Sequence, residues 1–124
     1  MTADQFFHLR RVPCGAGDAI VVELLGDALA SGAHQLNSNL LETLQLLQCP
    51  NVVIDMQSVE ICVSETVNAL LRSRELVESW NGHFRLAEVT PGTRQVLETL
   101  GLANRIFMLD QSVQDSMVAI ESAD

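Results

Sequence analysis

The hydroxyl of Ser64 and the carboxylate of Asp55 occupy the positions in this sequence that are best suited to chemistry. The β-branched run Val52–Ile54 predicts a strand that ends at Asp55, and Ser64 stands immediately before a helical pattern. The hydroxyl would then lie at the start of a helix, near the carboxyl end of a strand, where open α/β sheets usually meet ligands and partners. A helix N-terminus offers unpaired N–H groups and the positive end of the helix dipole, so this position would tolerate a phosphate group.

Each of these polar residues also has a purely structural interpretation. Ser64 is a favoured helix N-cap, a role that contributes about 1 kcal/mol and shares its geometry with a phosphate acceptor. Asp55 could be a catalytic or metal-binding carboxylate, but it is better explained as a strand end whose side chain accepts from turn N–H groups. Thr66 is an alternative hydroxyl acceptor two residues into the helix. Glu60 and Glu65 are either a solvated pair or acidic contacts for a basic partner.

The histidines and cysteines are scattered without the spacing of a metal site, at His8, His34, His83, Cys14, Cys49 and Cys62. No paired carboxylates, activated nucleophile or phosphate-binding loop can be recognised either. We therefore predict no metal, no cofactor and no enzymatic activity. Cys62, between Ile61 and Val63, is expected to be a small buried hydrophobe, whereas Cys14 lies in a turn and would be reactive if exposed.

The charge of the chain limits its partners. Seven arginines, no lysine and sixteen carboxylates give a formal charge of −9 over 124 residues. Such a surface repels phosphate backbones and anionic lipids, so nucleic acid and direct membrane binding are set aside, and basic patches on protein partners are favoured. An odd number of cysteines without a signal peptide predicts reduced thiols in a cytoplasmic protein, and no apolar run approaches the length of a membrane span.

Strands alternate with helices along the chain, which predicts an α/β fold with a mixed, largely parallel sheet, an N-terminal hairpin and about four helices in one domain, residues 1–124. The predicted strands are Phe6–Val12, Ala19–Leu25, Val52–Asp55, His83–Val89 and Arg105–Leu109. The predicted helices run from Ser31 to just before Pro50, from Ser64 to Trp80, from Thr90 to Leu100 with Leu100 facing inward, and onward from Ser112. Gly101 is predicted to be a left-handed C-cap that lets Leu102 fold back onto Leu97.

Two stretches of the sequence resemble the STAS domains, the family of anti-sigma-factor antagonists. The first, VVIDMQSVEICVSETVNALL, is similar to the family's strand, Asp-Leu-Ser-like turn and Asp-Ser-Ser-Gly-Leu helix start. The second, WNGHFRLAEVTPGTRQVLETLGL, is similar to the family's Gly-x-x-Leu-x-x-Val-x-Pro and Val-x-x-x-Leu-x-x-x-Gly-Leu patterns. The resemblance covers roughly residues 19–120, and its second stretch reports fold rather than function.

The resemblance implies a non-enzymatic regulatory module that binds a serine/threonine kinase or an anti-sigma factor. Family members are commonly inactivated by phosphate on the Ser or Thr that begins the second helix, which is Ser64 here. The implied partner-binding residues lie in the loop after Asp55, in the first turns of that helix and at a nearby rim; they are Asp27, Ser58, Glu60, Ser64, Glu65 and Thr66.

The chain departs from the family pattern around the phosphate acceptor. The family's Asp before the hydroxyl is Val63, and the following Ser and Gly are Glu65 and Thr66. A second acidic position of the family corresponds to Leu29, with Asp27 displaced by two residues. The fixed charge of Glu65 would oppose an incoming phosphate, which carries about −1.5 to −2 at neutral pH.

These departures leave a second interpretation open. Some STAS-like domains serve as accessory or scaffold subunits of lipid-transport or signalling complexes, and such a subunit would bind its partner regardless of phosphate. The sequence also leaves open whether the domain forms a homodimer.

Overall fold

The computed structural model describes residues 6–15 and 17–122, with the side chains of residues 27–34 left aside. The strands are β1 (Phe7–Cys14), β2 (Gly17–Leu24), β3 (Asn51–Asp55), β4 (His83–Ala87) and β5 (Met108–Asp110). The helices are α1 (Gly26–Leu47), α2 (Ser64–Ser79), α3 (Pro91–Thr99) and α4 (Val113–Ser122).

The strands form one mixed sheet in the order β1-β2-β3-β4-β5. The β1–β2 pair is an antiparallel hairpin, and every later neighbour is parallel. The predicted α/β fold with a largely parallel sheet, an N-terminal hairpin and four helices is therefore confirmed. Because β2, β3 and β4 run in one direction, the loops that follow β3 and β4 leave from the same edge of the sheet, and α2 and α3 both begin there.

The two faces of the sheet are covered unequally. On β3, Val52 and Ile54 point into the larger core, which α1, α2 and α3 complete, while Val53 points into a smaller core closed by Met117 and Ile120 of α4. This alternation follows from the two-residue repeat of a strand, which sends successive side chains to opposite faces. Each fully buried aliphatic side chain contributes roughly 1.5–3 kcal/mol, so the fold rests chiefly on the three-helix face.

Several predicted boundaries are wrong by two or more residues; β1 ends at Cys14 instead of Val12, and β2 begins at Gly17 instead of Ala19. Helix α1 begins at Gly26 instead of Ser31, because the intervening alanines and leucine are good helix formers that extend it upstream. Strand β4 ends at Ala87, since Glu88 has a left-handed φ of 57° that breaks the extended backbone. Strand β5 covers Met108–Asp110, later than the predicted Arg105–Leu109.

The end of α3 follows the predicted capping pattern. Gly101 has a φ of 74°, its N–H donates to the Glu98 carbonyl at 3.0 Å, and the N–H of Leu102 donates to the Leu97 carbonyl at 2.8 Å. These are the two hydrogen bonds of a Schellman motif. The prediction that Leu100 faces inward is wrong: the helix ends at this residue, and its side chain is 56% exposed.

Candidate functional site

Asp55 closes β3 with a buried side chain that organises the loop after it. The residue is 6% exposed, and its Oδ1 accepts the N–H of Gln57 at 3.1 Å. The next residue, Met56, donates its N–H to the carbonyl of Ala87 on β4 at 2.9 Å. Asp55 thus satisfies a turn N–H group, as the structural interpretation predicted, and it starts the loop of residues 56–63, which we call the site loop.

Ser64 is the first residue of α2 and is not its cap. The cap position is taken by Val63, whose backbone is extended and whose carbonyl accepts the N–H of Val67 at 3.0 Å; no side chain caps this end. The predicted N-cap role of Ser64 is therefore wrong by one residue. The hydroxyl of Ser64 is therefore available for phosphorylation, because it is exposed and does not cap the helix. It also belongs to the first turn, whose N–H groups lack helical acceptors.

The site loop is held by two threonines at the start of α3. Thr90 donates its hydroxyl to the carbonyls of Val59 and Glu60, both at 2.8 Å. Thr93, which is fully buried, donates to the same two carbonyls at 3.1 and 3.4 Å. The hydroxyl of Thr90 also accepts the N–H of Thr93 and so caps α3. The loop therefore rests on the N-terminus of α3 through hydroxyl groups that few other residues could supply.

Two glycines allow the site loop to approach the neighbouring helices closely. A Cβ at Gly26, the first residue of α1, would lie 2.0 Å from the carbonyl oxygen of Ser58. A Cβ at Gly92, in the first turn of α3, would lie 2.5 Å from the carbonyl oxygen of Glu60. Both contacts involve backbone atoms, which cannot move away as easily as the end of a side chain. The loop is thus packed between two helix N-termini.

The predicted contact residues separate into those that reach the surface and one that does not. Ser58, Glu60, Ser64 and Glu65 are all exposed on the loop and the first turn of α2. Thr66 is 1% exposed, so it can serve neither as a partner contact nor as an accessible phosphate acceptor in this conformation. The side chains of Asp27 and Leu29 lie outside the described part of the chain.

Sequence analysis missed the apolar part of this surface. Ile61 is 65% exposed, Val63 is 45% exposed, and Leu100 is 56% exposed at the end of α3. They adjoin a groove of about 430 Å³ lined by Ile61, Cys62, Ser64, Val67, Gly92, Gln95, Val96, Thr99 and Leu100. The sequence signal for this surface is the presence of the apolar residues Ile61 and Val63 in a loop that also carries Ser58 and Glu60.

All three cysteines are buried. Cys62 is 4% exposed, and burial raises the pKa of its thiol to about 12, which keeps it protonated and poorly nucleophilic. This confirms the prediction of a small buried hydrophobe. Cys14 is 5% exposed at the end of β1, so the exposure on which its predicted reactivity depended is not met.

Replacing Thr93 by valine is expected to loosen the site loop while preserving the fold. The isosteric change removes hydroxyl contacts to the carbonyls of Val59 and Glu60, and a lost hydrogen bond in a buried position costs about 1 kcal/mol. Amide exchange across residues 57–63 and alkylation of Cys62 should accelerate about fivefold. The matched control is Thr99→Val, at an exposed position on the same helix. Identical exchange in both variants would show that the hydroxyl of Thr93 does not hold the loop.

Among the described side chains, no group of three or more His, Cys, Asp or Glu residues is arranged to hold a metal ion. His34 lies outside that set. None of the helices, over the residues searched, is long and apolar enough to cross a membrane.

Comparisons with known proteins agree on the fold. A Thermotoga maritima structure assigned as an anti-sigma factor antagonist superposes with a TM-score of 0.76 at 15% identity, over 92% of this chain and 93% of that chain. A chain of the stressosome, a signal integration and transduction hub, gives 0.74 at 19% identity over 94% and 97%. Bacillus SpoIIAA in its phosphorylated form gives 0.65 at 18% identity over 92% and 98%. At these identities the likeness supports the fold alone.

Sequence comparison supplies the family. No curated protein matched the chain. The family model described as "Mlab, STAS domain" matches residues 15–110, which include β2 to β5, the site loop and the helices between them. With the mixed sheet, the hairpin and the helix that starts at Ser64, this match leads to one conclusion: the chain belongs to the STAS domain family, and its fold is similar to that of anti-sigma-factor antagonists.

Proposed function

We propose that this STAS domain is a non-enzymatic regulatory module that binds a serine/threonine kinase or an anti-sigma factor and is released by phosphorylation of Ser64. The observation that carries the proposal is the position of Ser64. Its hydroxyl is exposed at the first residue of α2, next to a loop anchored by Thr90 and Thr93. Ser58 and Glu60, exposed on the site loop, and Glu65, exposed in the first turn of α2, are proposed as further contacts.

The electrostatics of Ser64 explain how a phosphate would act. The N-terminus of α2 favours a negative group by roughly 0.3–1 kcal/mol, so a phosphate can be held there. It would add about −1.5 to −2 charge to a surface that already carries Glu60 and Glu65, in a chain of net charge −9. A partner that had to desolvate this surface on binding would then bind less tightly.

Ser64→Asp is expected to weaken partner binding at least about tenfold, whereas Ser64→Ala should retain it, because only the aspartate adds charge to the contact surface. The measurement is a pull-down from native lysate, followed by titration of the captured protein. Ser122→Asp at the end of α4 is the matched control, since it adds the same charge on the other side of the sheet. Equal affinities of the Ser64→Asp and Ser64→Ala variants would exclude the switch.

A second candidate is a phosphate-insensitive accessory or scaffold subunit of a lipid-transport or signalling complex. The apolar surface beside Ser64 favours it, because Ile61, Val63 and Leu100 expose area that a permanent partner would cover. The fixed charge of Glu65 also opposes a working switch. This candidate predicts a stable complex captured equally by all the variants and unchanged by phosphatase treatment.

The proposal treats residues 1–124 as one cytoplasmic domain. The side chains of Cys14, Cys49 and Cys62 are buried, which suits a reducing compartment. Whether the active form is a monomer or a homodimer can be measured by sedimentation at several concentrations.

A further inference from the structure

The groove beside Ser64 is built by two helices and the site loop. Helix α2 contributes Ser64 and Val67, spaced three residues apart on one face. Helix α3 contributes Gly92, Gln95, Val96 and Thr99, and its C-cap residue Leu100 continues the same helical spacing. Ile61 of the site loop also lines the groove. The groove is therefore a joint product of α2, α3 and the loop, and it extends the proposed site beyond the residues predicted from sequence.

Two exposed apolar side chains line this groove. They are Ile61 and Leu100, both more than half exposed, and the exposed Val63 lies next to the lining residue Ser64 in the sequence. Single exposed apolar residues are ordinary, whereas a contiguous set that lines a concave surface marks an interaction site. The hydrogen bonds from Thr90 and Thr93 hold the loop that carries Ile61, so the wall is preformed and a partner would lose little affinity to ordering it.

The charged residues around the groove are mostly acidic, which favours a basic ligand. Three glutamates adjoin lining residues in sequence, Glu60 beside Ile61, Glu65 beside Ser64 and Glu98 beside Thr99, against one arginine, Arg94. An apolar trough with an acidic rim complements an amphipathic helix that has apolar side chains on one face and basic residues along its flanks. We propose that this groove receives such a helix from the protein partner, with an apolar side chain between Ile61 and Leu100 and lysines or arginines facing the glutamates. This inference rests on the proposed function and specifies the chemistry of the partner.

An acyl chain is the main competing occupant. Its length and apolarity would suit the trough, but an anionic headgroup would meet Glu60 and Glu65 at the rim. The lining also includes the hydroxyls of Ser64 and Thr99 and the amide of Gln95, which a helix with polar flanks can hydrogen-bond and a hydrocarbon cannot. The protein helix is therefore the better match.

Ser64 connects the groove to the phosphate switch. Because its side chain lines the groove, a phosphate there would put a dianion against the apolar face of the bound helix, where desolvation is unfavourable. A basic residue of the partner close to Ser64 would reduce this loss of affinity. The change in affinity on phosphorylation therefore depends on the positions of the partner's basic residues. A helix that occupies the groove would sense Ser64 directly, without a conformational change.

The test uses a phage-displayed library of helix-constrained peptides, selected on the wild-type protein. Selected peptides should share one large apolar residue and lysine or arginine one turn away. Their affinity should fall at least about tenfold on Ile61→Arg and on Leu100→Arg, and about threefold on Glu65→Gln. The control Val118→Arg changes a side chain that is 50% exposed on α4, and it should leave affinity within about twofold. Both groove substitutions are at exposed positions, and a thermal melt of each variant checks that it is folded.

Several results would overturn the inference. No selected peptide, peptides rich in acidic residues, or peptides that bind Leu100→Arg as tightly as wild type would each show that the groove does not receive a basic helix. A fluorescent C12 fatty acid that binds wild type and is lost with Leu100→Arg would assign the groove to an acyl chain. These outcomes are separable from failure of the switch: groove-dependent peptides that bind Ser64→Asp and wild type equally support the groove and contradict phosphate control.

Discussion

Asp110→Ala is expected to lower the free energy of unfolding by about 3 kcal/mol, because it leaves two buried or half-buried donors without their acceptor. Asp110 ends β5 and accepts from Arg85 of β4 through Nε at 2.6 Å and through a second guanidinium nitrogen at 3.0 Å. The hydroxyl of Ser116 on α4 donates to the same carboxylate at 2.6 Å. One side chain thus joins two strands to the helix that covers the smaller core.

The same carboxylate makes part of the stability dependent on acid. Burial alone would raise the pKa of Asp110, but the hydrogen bonds from Arg85 and Ser116 and the charge of Arg85 outweigh burial and hold the pKa below its ordinary value of 3.8. A group whose pKa is lowered by folding stabilises the protein above its unfolded-state pKa. That contribution should be present at neutral pH and be lost as the pH falls below about 4 and through the folded-state pKa. The alanine variant should lack this component of the acid titration.

Urea unfolding of wild type, Asp110→Ala and Asp18→Ala at pH 7 and at pH 3 measures both effects. Asp18 is the matched control, since it pairs with Arg11 at 3.4 Å but both side chains are about half exposed. An exposed pair of this kind contributes at most about 1 kcal/mol. If the two alanine variants lost equal stability at pH 7, the hydrogen bonds of Asp110 to β4 and α4 would stabilise the fold no more than an exposed ion pair does.

The order and type of the elements could be predicted because they depend on local patterns. The β-branched run Val52–Ile54 gives a strand, and the pair Gly101–Leu102 gives a Schellman end whose two hydrogen bonds are present in the structure. Short connections and right-handed crossovers then favour a largely parallel sheet. These features need no information about distant contacts.

Two site residues were mispredicted for different reasons. Thr66 falls on the same face of α2 as Leu70, Ser73 and Val77, all of them buried. Applying the helical repeat to Thr66 would have placed it in the core. The expectation that Ser64 caps the helix failed because assigning a cap requires the helix start to within one residue, and Val63 occupies the cap.

The groove and the packing of the site loop could not be predicted from local patterns. Leu100 follows the last residue of α3 and Ile61 lies in the loop before α2, about forty residues apart in the sequence, yet both line the groove. β3 and β4 are parallel neighbours, so the segments that follow these two strands start from the same edge of the sheet. The close packing at Gly26 could not be predicted from the sequence either. Its sequence context is that of an ordinary turn residue, and only the structure shows the carbonyl of Ser58 packed against it.

Gly26→Ala is expected to lower the free energy of unfolding by about 3 kcal/mol and the melting temperature by roughly 10 °C, because the new methyl group would overlap a backbone carbonyl. The Cβ would lie 2.0 Å from the oxygen of Ser58 and 3.0 Å from its carbonyl carbon. Relief requires moving either the first turn of α1 or the site loop. Because Thr90 and Thr93 hold the far side of that loop, the strain should reach the surface around Ser64.

The predicted loss of stability in Gly26→Ala is opposite in sign to the usual effect of this substitution in a helix. In a helix, alanine is ordinarily favoured over glycine by roughly 0.8–1 kcal/mol, so a helix start without a close neighbour would be stabilised. Gly17→Ala at the start of β2 is the matched control, because no atom lies within 4 Å of its Cβ, and its stability should change by less than about 0.5 kcal/mol. Calorimetry and amide exchange of residues 57–63 would follow both variants. A Gly26→Ala protein as stable as wild type, with unchanged exchange in the site loop, would mean that the loop yields freely at Ser58 and that its packing against α1 does not position the Ser64 surface.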